Sequence, residues 1–137
     1  MADPRDLIPH REPFLFVDRI VETTETSITA ERTLRPDEPY FAGHYPGEPL
    51  MPGVLICEAV FQTGAAFIAG STAGQVEGKP VLTRIKEAKF KNMARPGDTL
   101  VIEVTLDEKM GDAYLMTGRV TCEGKTILRV SFIVAVV

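Results

Sequence analysis

The sequence predicts an α+β fold in which an antiparallel sheet curls around one long central helix. Residues 53–70 are apolar on every side, which is typical of a helix that lies inside a protein rather than on its surface. About six segments of alternating apolar and polar residues before and after this helix indicate strands. A sheet that wraps around the helix is the simplest way to bury it.

Length and composition favour one compact domain over residues 1–137, because 45% of the chain is hydrophobic. The first residues lack the basic and apolar segments of a signal peptide, and Glu58 and Gln62 interrupt the longest apolar run. We therefore expect a cytoplasmic protein without a membrane span. The net charge of −4 gives no reason to expect a nucleic-acid partner.

The strands are predicted in two groups. Residues 14–34 contain two alternating segments, and residues 35–40, with two prolines, are predicted to form a loop. After the helix, residues 71–79 are small and polar and are predicted to form a connection. Three or four strands follow, with turns at residues 110–112 and 123–125. Their expected inward faces contain Leu100, Ile102, Val104 and Leu106, then Tyr114, Met116, Val120 and Cys122, and finally Leu128, Val130, Phe132, Val134 and Val136.

The N-terminus of the central helix is predicted to be uncapped. Pro52 suits a first helical position, Gly70 is a plausible end, and the residue before Pro52 is Met51, whose side chain cannot cap a helix. The amides of Gly53 and Val54 are then available to polarise a carbonyl or hold an oxyanion. The alternative is that Gly53 merely allows close packing and water satisfies these amides.

A carboxyl and an imidazole stand out as candidates for acid–base catalysis. Glu58 lies within the apolar helix, where a carboxyl is rare unless it is paired or functional. His44 precedes it by fourteen residues, in a loop that contains Pro46 and Gly47. Gln62 follows Glu58 by one helical turn on the same face, where its amide is expected to orient the carboxyl. Together these side chains indicate proton transfer.

The other histidine and the two cysteines are expected to be structural. His10 precedes the first predicted strand, where packing is the more common role. Cys57 and Cys122 are expected to be free core thiols, because their spacing suits neither a disulfide framework nor a metal site. Cys57 as a nucleophile is an alternative, but burial in an apolar helix would raise the pKa of its thiol.

Short motifs through most of the chain resemble one known family. They are Ile8-Pro9-His10-Arg11, Pro13-Phe14-Leu15, Val17-Asp18-Arg19, residues 41–47, residues 51–55, Glu58-Ala59 with Gln62, and Pro96-Gly97-Asp98. In this order, and with this interval from His44 to Glu58, the chain resembles the 3-hydroxyacyl-acyl-carrier-protein dehydratases of bacterial fatty-acid synthesis. The resemblance is to the short class, which has Glu rather than Asp in the catalytic helix.

The resemblance implies a hotdog fold, no cofactor and no metal, and dehydration of a (3R)-3-hydroxyacyl thioester to a trans-2-enoyl thioester. It implies that His44 is the base, that Glu58 is the acid, that the Gly53 amide holds the thioester oxygen and that Gln62 orients Glu58. It also implies a dimer whose sheets join edge to edge, often assembled into a hexamer, with His44 and Glu58 of one site in different subunits. How the proton transfers divide between His44 and Glu58 stays open, since one group could shuttle both.

An acidic carrier protein requires a local basic patch on this acidic chain. The basic residues of positions 84–95 outnumber the single acidic residue there, Glu87, and are Arg84, Lys86, Lys89, Lys91 and Arg95. The alternative is a solvated strand edge that charge protects from aggregation. Asn92-Met93-Ala94 departs from the Arg-Pro-Val type of the family, which leaves the docking residues open.

Two other classes of function remain as alternatives. One is another hotdog enzyme, such as a thioesterase or a dehydratase-isomerase, although Glu58 stands where the isomerising class has Asp. The other is a catalytically silent acyl-binding or scaffolding protein, which the presence of both His44 and Glu58 disfavours.

Overall fold

Six strands and one long helix account for most of residues 2–72 and 78–137, the part of the chain that this computed structural model describes. In chain order the elements are a 3-10 helix (Pro4–Asp6), β1 (Arg19–Thr23), β2 (Ser27–Thr33), α1 (Pro39–Gly43), α2 (Gly53–Thr72), β3 (Pro80–Phe90), β4 (Thr99–Met110), β5 (Ala113–Cys122) and β6 (Lys125–Val136). The predicted central helix is confirmed as α2. It continues two residues beyond Gly70, and the predicted connection lies partly outside the described residues.

The strands form one antiparallel sheet in the order β1-β2-β4-β5-β6-β3, which places β1 and β3 at its edges. Helix α2 contacts all the strands from β2 to β6, so the sheet curls around it. The predicted arrangement of a sheet around a central helix is therefore confirmed, as are the turns that join β4 to β5 and β5 to β6. Four strands follow the helix, the upper of the two predicted numbers.

Alternation along the strands places apolar side chains against α2. The inward positions of β4, β5 and β6 are buried as predicted, except that Leu106, Cys122 and Val136 near the strand ends are half-buried. Stretch Gly53–Ser71 is long and apolar enough to cross a membrane, but 61% of its apolar window is buried within the protein. It is therefore the core helix of this fold.

The first predicted strand is wrong in its N-terminal half, because β1 begins only at Arg19. Leu15, Phe16 and Val17 are all buried, so the apparent alternation in this segment does not describe one inward and one outward face. The backbone at Phe14 and Phe16 is hydrogen-bonded to a side chain of α2 rather than to a neighbouring strand. Because the partner of this segment is one side chain and not a strand, an alternating sequence pattern could not predict it.

The predicted loop at residues 35–40 is also wrong at its end, where helix α1 begins with Pro39. Proline suits a first helical position, and Phe41 anchors the helix because its side chain is buried. The helix has only five residues, too few for a periodic apolar pattern. His44 directly follows it, and its backbone N–H donates to the carbonyl of Tyr40 at 3.0 Å.

Helix α2 packs tightly against the sheet at Gly118 of β5. A Cβ atom at this position would lie 2.2 Å from Cγ1 of Val60 on the helix, well inside van der Waals contact. The absence of a side chain therefore sets the distance between α2 and the middle of the sheet.

We predict that Gly118→Ala lowers the free energy of unfolding by about 1–3 kcal/mol, because the added methyl group overpacks the core. Adding Val60→Ala should restore part of the lost stability, because it removes the side chain that the new methyl group would contact. Measured by urea unfolding, the double variant should lose less stability than the sum of the losses in the two single variants. Gly70→Ala is the control, since its Cβ would contact nothing within 4 Å in a helix, and it should gain about 0.5–1 kcal/mol. A Gly118→Ala variant of wild-type stability would contradict this packing.

Candidate active site

His44 presents one ring nitrogen for chemistry. Its Nδ1 lies 3.0 Å from the carbonyl oxygen of Leu50, and the ring packs edge-on against Tyr45. Because a carbonyl oxygen only accepts, Nδ1 must carry the proton of the neutral ring, which leaves Nε2 as the basic atom. No described residue hydrogen-bonds to Nε2. The half-buried imidazole is therefore held in the tautomer that a general base needs.

Glu58 lies in the second turn of α2, and its side chain is 25% exposed. The prediction of a buried carboxyl is corrected here, because Glu58 borders a small cavity rather than lying within the core. The cavity is lined by side chains from α2, β3, β6 and the N-terminal segment: His10, Glu58, Phe61, Gln62, Ala65, Pro80, Leu82 and Val134. The carboxyl is thus reachable by a small molecule.

Gln62 fixes one oxygen of this carboxyl. Its Nε2 donates to Oε2 of Glu58 at 3.1 Å and to the carbonyl of Phe14 at 2.8 Å, and its Oε1 accepts from the N–H of Phe16 at 2.9 Å. Gln62 is only 1% exposed, so these bonds replace water completely. Because Oε2 of Glu58 is occupied as an acceptor, a proton on this carboxyl lies on Oε1.

His10 is the site neighbour that sequence reasoning missed. Its Nε2 lies 3.9 Å from Oε2 of Glu58, and its ring stacks on Phe14. Within the described part of the chain its Nδ1 is buried without a hydrogen-bond partner. Arg11 fixes this segment by donating to the carbonyls of Ile8 and His10, at 2.9 and 2.7 Å. The motif at residues 8–11 is the sequence feature that could have indicated a role for His10 in the site.

Gly53 begins α2 and has two observable properties. The N–H groups of Gly53 and Val54 have no hydrogen-bond acceptor among residues 2–72 and 78–137. A Cβ atom at Gly53 would lie 2.7 Å from the ring of Phe90, so the glycine also allows this ring to pack on the helix terminus. Close packing is therefore observed, and the amides are at the same time free to bind an oxygen.

Within one chain His44 and Glu58 are separate. No nitrogen of the His44 ring lies within 4.0 Å of a carboxylate oxygen of Glu58, and His44 does not line the cavity beside Glu58. Instead, each chain presents two halves of a possible site, which we call the glutamate half (Glu58 with Gln62 and His10) and the histidine half (His44 with its Leu50 contact).

Burial raises the pKa of two other groups near these halves. The pKa of the Cys57 thiol is raised by burial, as predicted, so its nucleophilic thiolate is scarce. Burial, and secondarily the carboxylate of Glu38, raise the pKa of Tyr40 to about 12. Both groups therefore stay protonated at neutral pH, and neither supplies a base. Cys122 is likewise a free thiol, and burial raises its pKa.

The predicted basic patch lies along and just after edge strand β3. Its side chains are exposed, and Lys89 forms an ion pair with Glu87 at 3.4 Å. On the face of the sheet opposite α2, Lys89 is directly across from Arg129, which is directly across from Arg119. The positive charge therefore continues over three neighbouring strands, which the sequence spacing did not reveal.

The same edge strand exposes apolar side chains. Val81, Leu82 and Ile85 of β3 are 42%, 37% and 50% exposed, and Phe90 at the end of the strand is 54% exposed. An unpaired edge with this much apolar surface is the kind of strand that pairs with another chain.

Comparison with known proteins gives consistent matches. The family model described as FabA-like domain matches residues 8–131. The Rickettsia felis protein named 3-hydroxyacyl-[acyl-carrier-protein] dehydratase FabZ is 40% identical over 121 residues, which cover 88% of this chain and 83% of that protein. A Chloroflexus aggregans protein of the same name is 54% identical over 104 residues, which cover 74% of this chain and 70% of the relative.

Solved structures are similar at lower sequence identity. A chain of the dehydratase heterocomplex ApeI:P from Xenorhabdus doucetiae superposes with a TM-score of 0.87 at 13% identity, covering 100% of this chain and 92% of that one. The E. coli PaaI protein superposes with a TM-score of 0.68 at 14% identity, covering 85% and 80%. At these identities the likeness shows the fold alone.

We predict that Gln62→Leu lowers the free energy of unfolding by about 2 kcal/mol or more, because it leaves the buried N–H of Phe16 and the part-buried carbonyl of Phe14 without partners. Thr63→Val is the matched control on the same helix: its buried hydroxyl donates only to the Ala59 carbonyl, so its loss should cost about 1 kcal/mol or less. Urea unfolding measures both. Equal stability of the two variants would contradict the bridging role of Gln62.

Proposed function

Because the chain belongs to the FabA-like family, we propose that it is a 3-hydroxyacyl-[acyl-carrier-protein] dehydratase of fatty-acid biosynthesis. As a hydro-lyase it converts a (3R)-3-hydroxyacyl thioester into a trans-2-enoyl thioester and water. The observation that carries the proposal is the carboxyl of Glu58, held by Gln62 beside a cavity in a chain that is 54% identical over 104 residues to a relative of this name. Proton transfer and elimination are reactions that such side chains catalyse.

The base in this proposal is His44. Its Nε2 takes the proton from the carbon next to the thioester carbonyl, while the Leu50 carbonyl holds Nδ1 and so keeps the ring in the correct tautomer. The electron pair of the broken C–H bond forms the enolate and then the new double bond. A neutral imidazole suits this role because its ordinary pKa lies near neutral pH.

The acid is Glu58. Its Oε1 delivers a proton to the hydroxyl on the next carbon, the C–O bond breaks, and water leaves. Gln62 supports this role because it occupies Oε2 as a donor and so directs the proton to the other oxygen. One proton is removed from carbon and one is added to oxygen, so the substrate and products balance. The imidazolium of His44 then loses its proton to water and the carboxylate of Glu58 regains one from water, which restores both groups for the next turnover.

The developing negative charge lies on the thioester oxygen. The free N–H groups of Gly53 and Val54 at the start of α2 are donors suited to this oxygen, with the helix dipole adding to their effect.

We further propose that the working unit is a dimer whose sites combine the histidine half of one chain with the glutamate half of the other. Two observations support it: the halves lie apart within one chain, and β3 offers an exposed edge with apolar side chains for a second β3. Assembly of three dimers into a hexamer is part of the same proposal and follows from the family resemblance. We place the enzyme in the cytoplasm, because its apolar stretch is a core helix.

The partner that presents the substrate is proposed to be an acyl carrier protein. The basic patch of Arg84, Lys86, Lys89, Lys91 and Arg95, extended by Arg119 and Arg129, is complementary to an acidic protein. Lys89, Arg129 and Arg119 lie on one face of the sheet, whereas the proposed dimer uses the backbone edge of β3. Carrier-protein binding and dimer formation can therefore both involve β3 without using the same groups.

We predict that His44→Ala and Glu58→Gln each lower kcat about a hundredfold or more while the protein stays folded, because each removes a proton-transfer group. Cys57→Ala is the control and should keep activity within about threefold, since its protonated thiol takes no part. The assay incubates the protein with 3-hydroxyacyl or trans-2-enoyl thioesters and follows their interconversion, together with any 3-enoyl product or free thiol.

Substantial activity in either folded variant would reject the assignment of that residue. Release of free thiol without interconversion would instead identify a thioesterase, and a 3-enoyl product would identify a dehydratase-isomerase.

A further inference from the structure

A buried ion pair joins β2 to the start of α1. Arg32 is 2% exposed and Glu38 is 4% exposed, and one guanidinium nitrogen of Arg32 donates to both carboxylate oxygens of Glu38, at 2.8 and 3.0 Å. The other terminal nitrogen donates to Asp18 at 3.0 Å. The sequence pattern singled out neither Arg32 nor Glu38.

Stability is a poor explanation for this pair. Removing two charges from water costs several kcal/mol per ion, and replacing a buried pair by apolar residues of similar volume is often neutral or stabilising. A buried pair is better explained when its fixed geometry serves a neighbouring group. Glu38 is followed along the chain by α1 and then by His44.

Glu38 is the residue before α1, and its side chain does not cap the helix. Instead, its carboxylate binds Arg32 and also accepts from the backbone N–H of Arg35 at 3.1 Å. The start of α1 is thereby tied to β2 in the sheet. Because a five-residue helix is not stable by itself, its position depends on such external contacts.

The other end of α1 leads directly into His44. The backbone N–H of His44 closes the last turn on Tyr40, and its ring is fixed by Leu50. Only the five residues of α1 separate Glu38 from His44, so a shift at the start of the helix moves the imidazole. A displacement of about 1 Å can cost a catalytic group a hundredfold in rate.

We propose that Arg32 and Glu38 are positioning residues for His44: their buried ion pair sets the place of α1 and thereby of the imidazole. This inference rests on the proposed base role of His44. Neither residue touches the reacting atoms, so both act through α1.

Asp18 supplies a matched comparison. It binds the same guanidinium at 3.0 Å, but it precedes β1, and its second oxygen accepts from the N–H of Thr33 in β2. Its contacts therefore stay within the sheet region and do not include α1. Asp18→Asn and Glu38→Gln each remove one negative charge from Arg32, but only Glu38→Gln weakens the tie to α1.

The first experiment compares the steady-state kinetics of these two variants. Glu38→Gln is expected to lower kcat about tenfold or more with little change in KM, because the base is misplaced while substrate contacts remain. Asp18→Asn is expected to change kcat by less than about twofold, even where both variants lose stability. Equal losses of kcat in the two variants would overturn the proposal.

A second measurement does not depend on activity. The chain has two histidines, so labelling with 13Cε1-histidine gives one NMR signal for His44 and one for His10 as an internal reference. Glu38→Gln should shift or broaden the His44 signal and leave that of His10 unchanged, whereas Asp18→Asn should leave both unchanged. An unchanged His44 signal in Glu38→Gln would overturn the positioning role.

A double variant separates positioning from stability. Arg32→Met with Glu38→Met removes both buried charges and should recover stability relative to Glu38→Gln, because the one carboxylate that it leaves unpaired, that of Asp18, is 32% exposed and reaches water. Its kcat should stay low, and its His44 NMR signal should stay shifted relative to wild type. Wild-type kcat in this variant would overturn the proposal. If His44→Ala were active, the proposed base role of His44 would fail, whereas the NMR comparison would still report whether the ion pair positions the ring.

Discussion

The side-chain amide of Gln62 is the interaction on which the proposed chemistry depends most. From within the core helix it satisfies the backbone of residues 14–16, which no strand reaches, and the same group holds one oxygen of Glu58. A carboxyl in an apolar helix is costly unless it is bound in this way. One buried amide therefore joins the N-terminal segment to α2 and leaves Oε1 as the free oxygen of the proposed acid.

The second constraint is that the proposed acid and the proposed base are held by different parts of the fold. Glu58 is fixed to the core helix, whereas His44 follows a five-residue helix that is tied to the sheet by Arg32 and Glu38. The two halves are not in contact within one chain, and β3 has an exposed edge, which is where we propose that a second chain pairs. Assembly and catalysis are therefore coupled in this account.

The sequence predicted what depends on periodicity and residue type. The apolar helix, the inward faces of β4 to β6 and the turns between them are all in place, because they follow from repeating patterns. It did not predict the irregular segment before β1, helix α1, or the contact of His10 with Glu58. These features depend on contacts that single side chains make with other parts of the fold. Gln62 makes the backbone hydrogen bonds that a neighbouring strand would otherwise make, and Glu38 fixes a helix that is too short to show a periodic apolar pattern.

The central claim is that each site is built from two chains, and complementation tests it most directly. Inactive His44→Ala and Glu58→Gln chains are mixed under conditions that allow subunits to exchange. Random pairing makes about half of the dimers mixed, each with one intact site of two, so activity should recover to about a quarter of wild type. No recovery, when mass spectrometry shows that mixed dimers have formed, would mean that the site is complete within one chain.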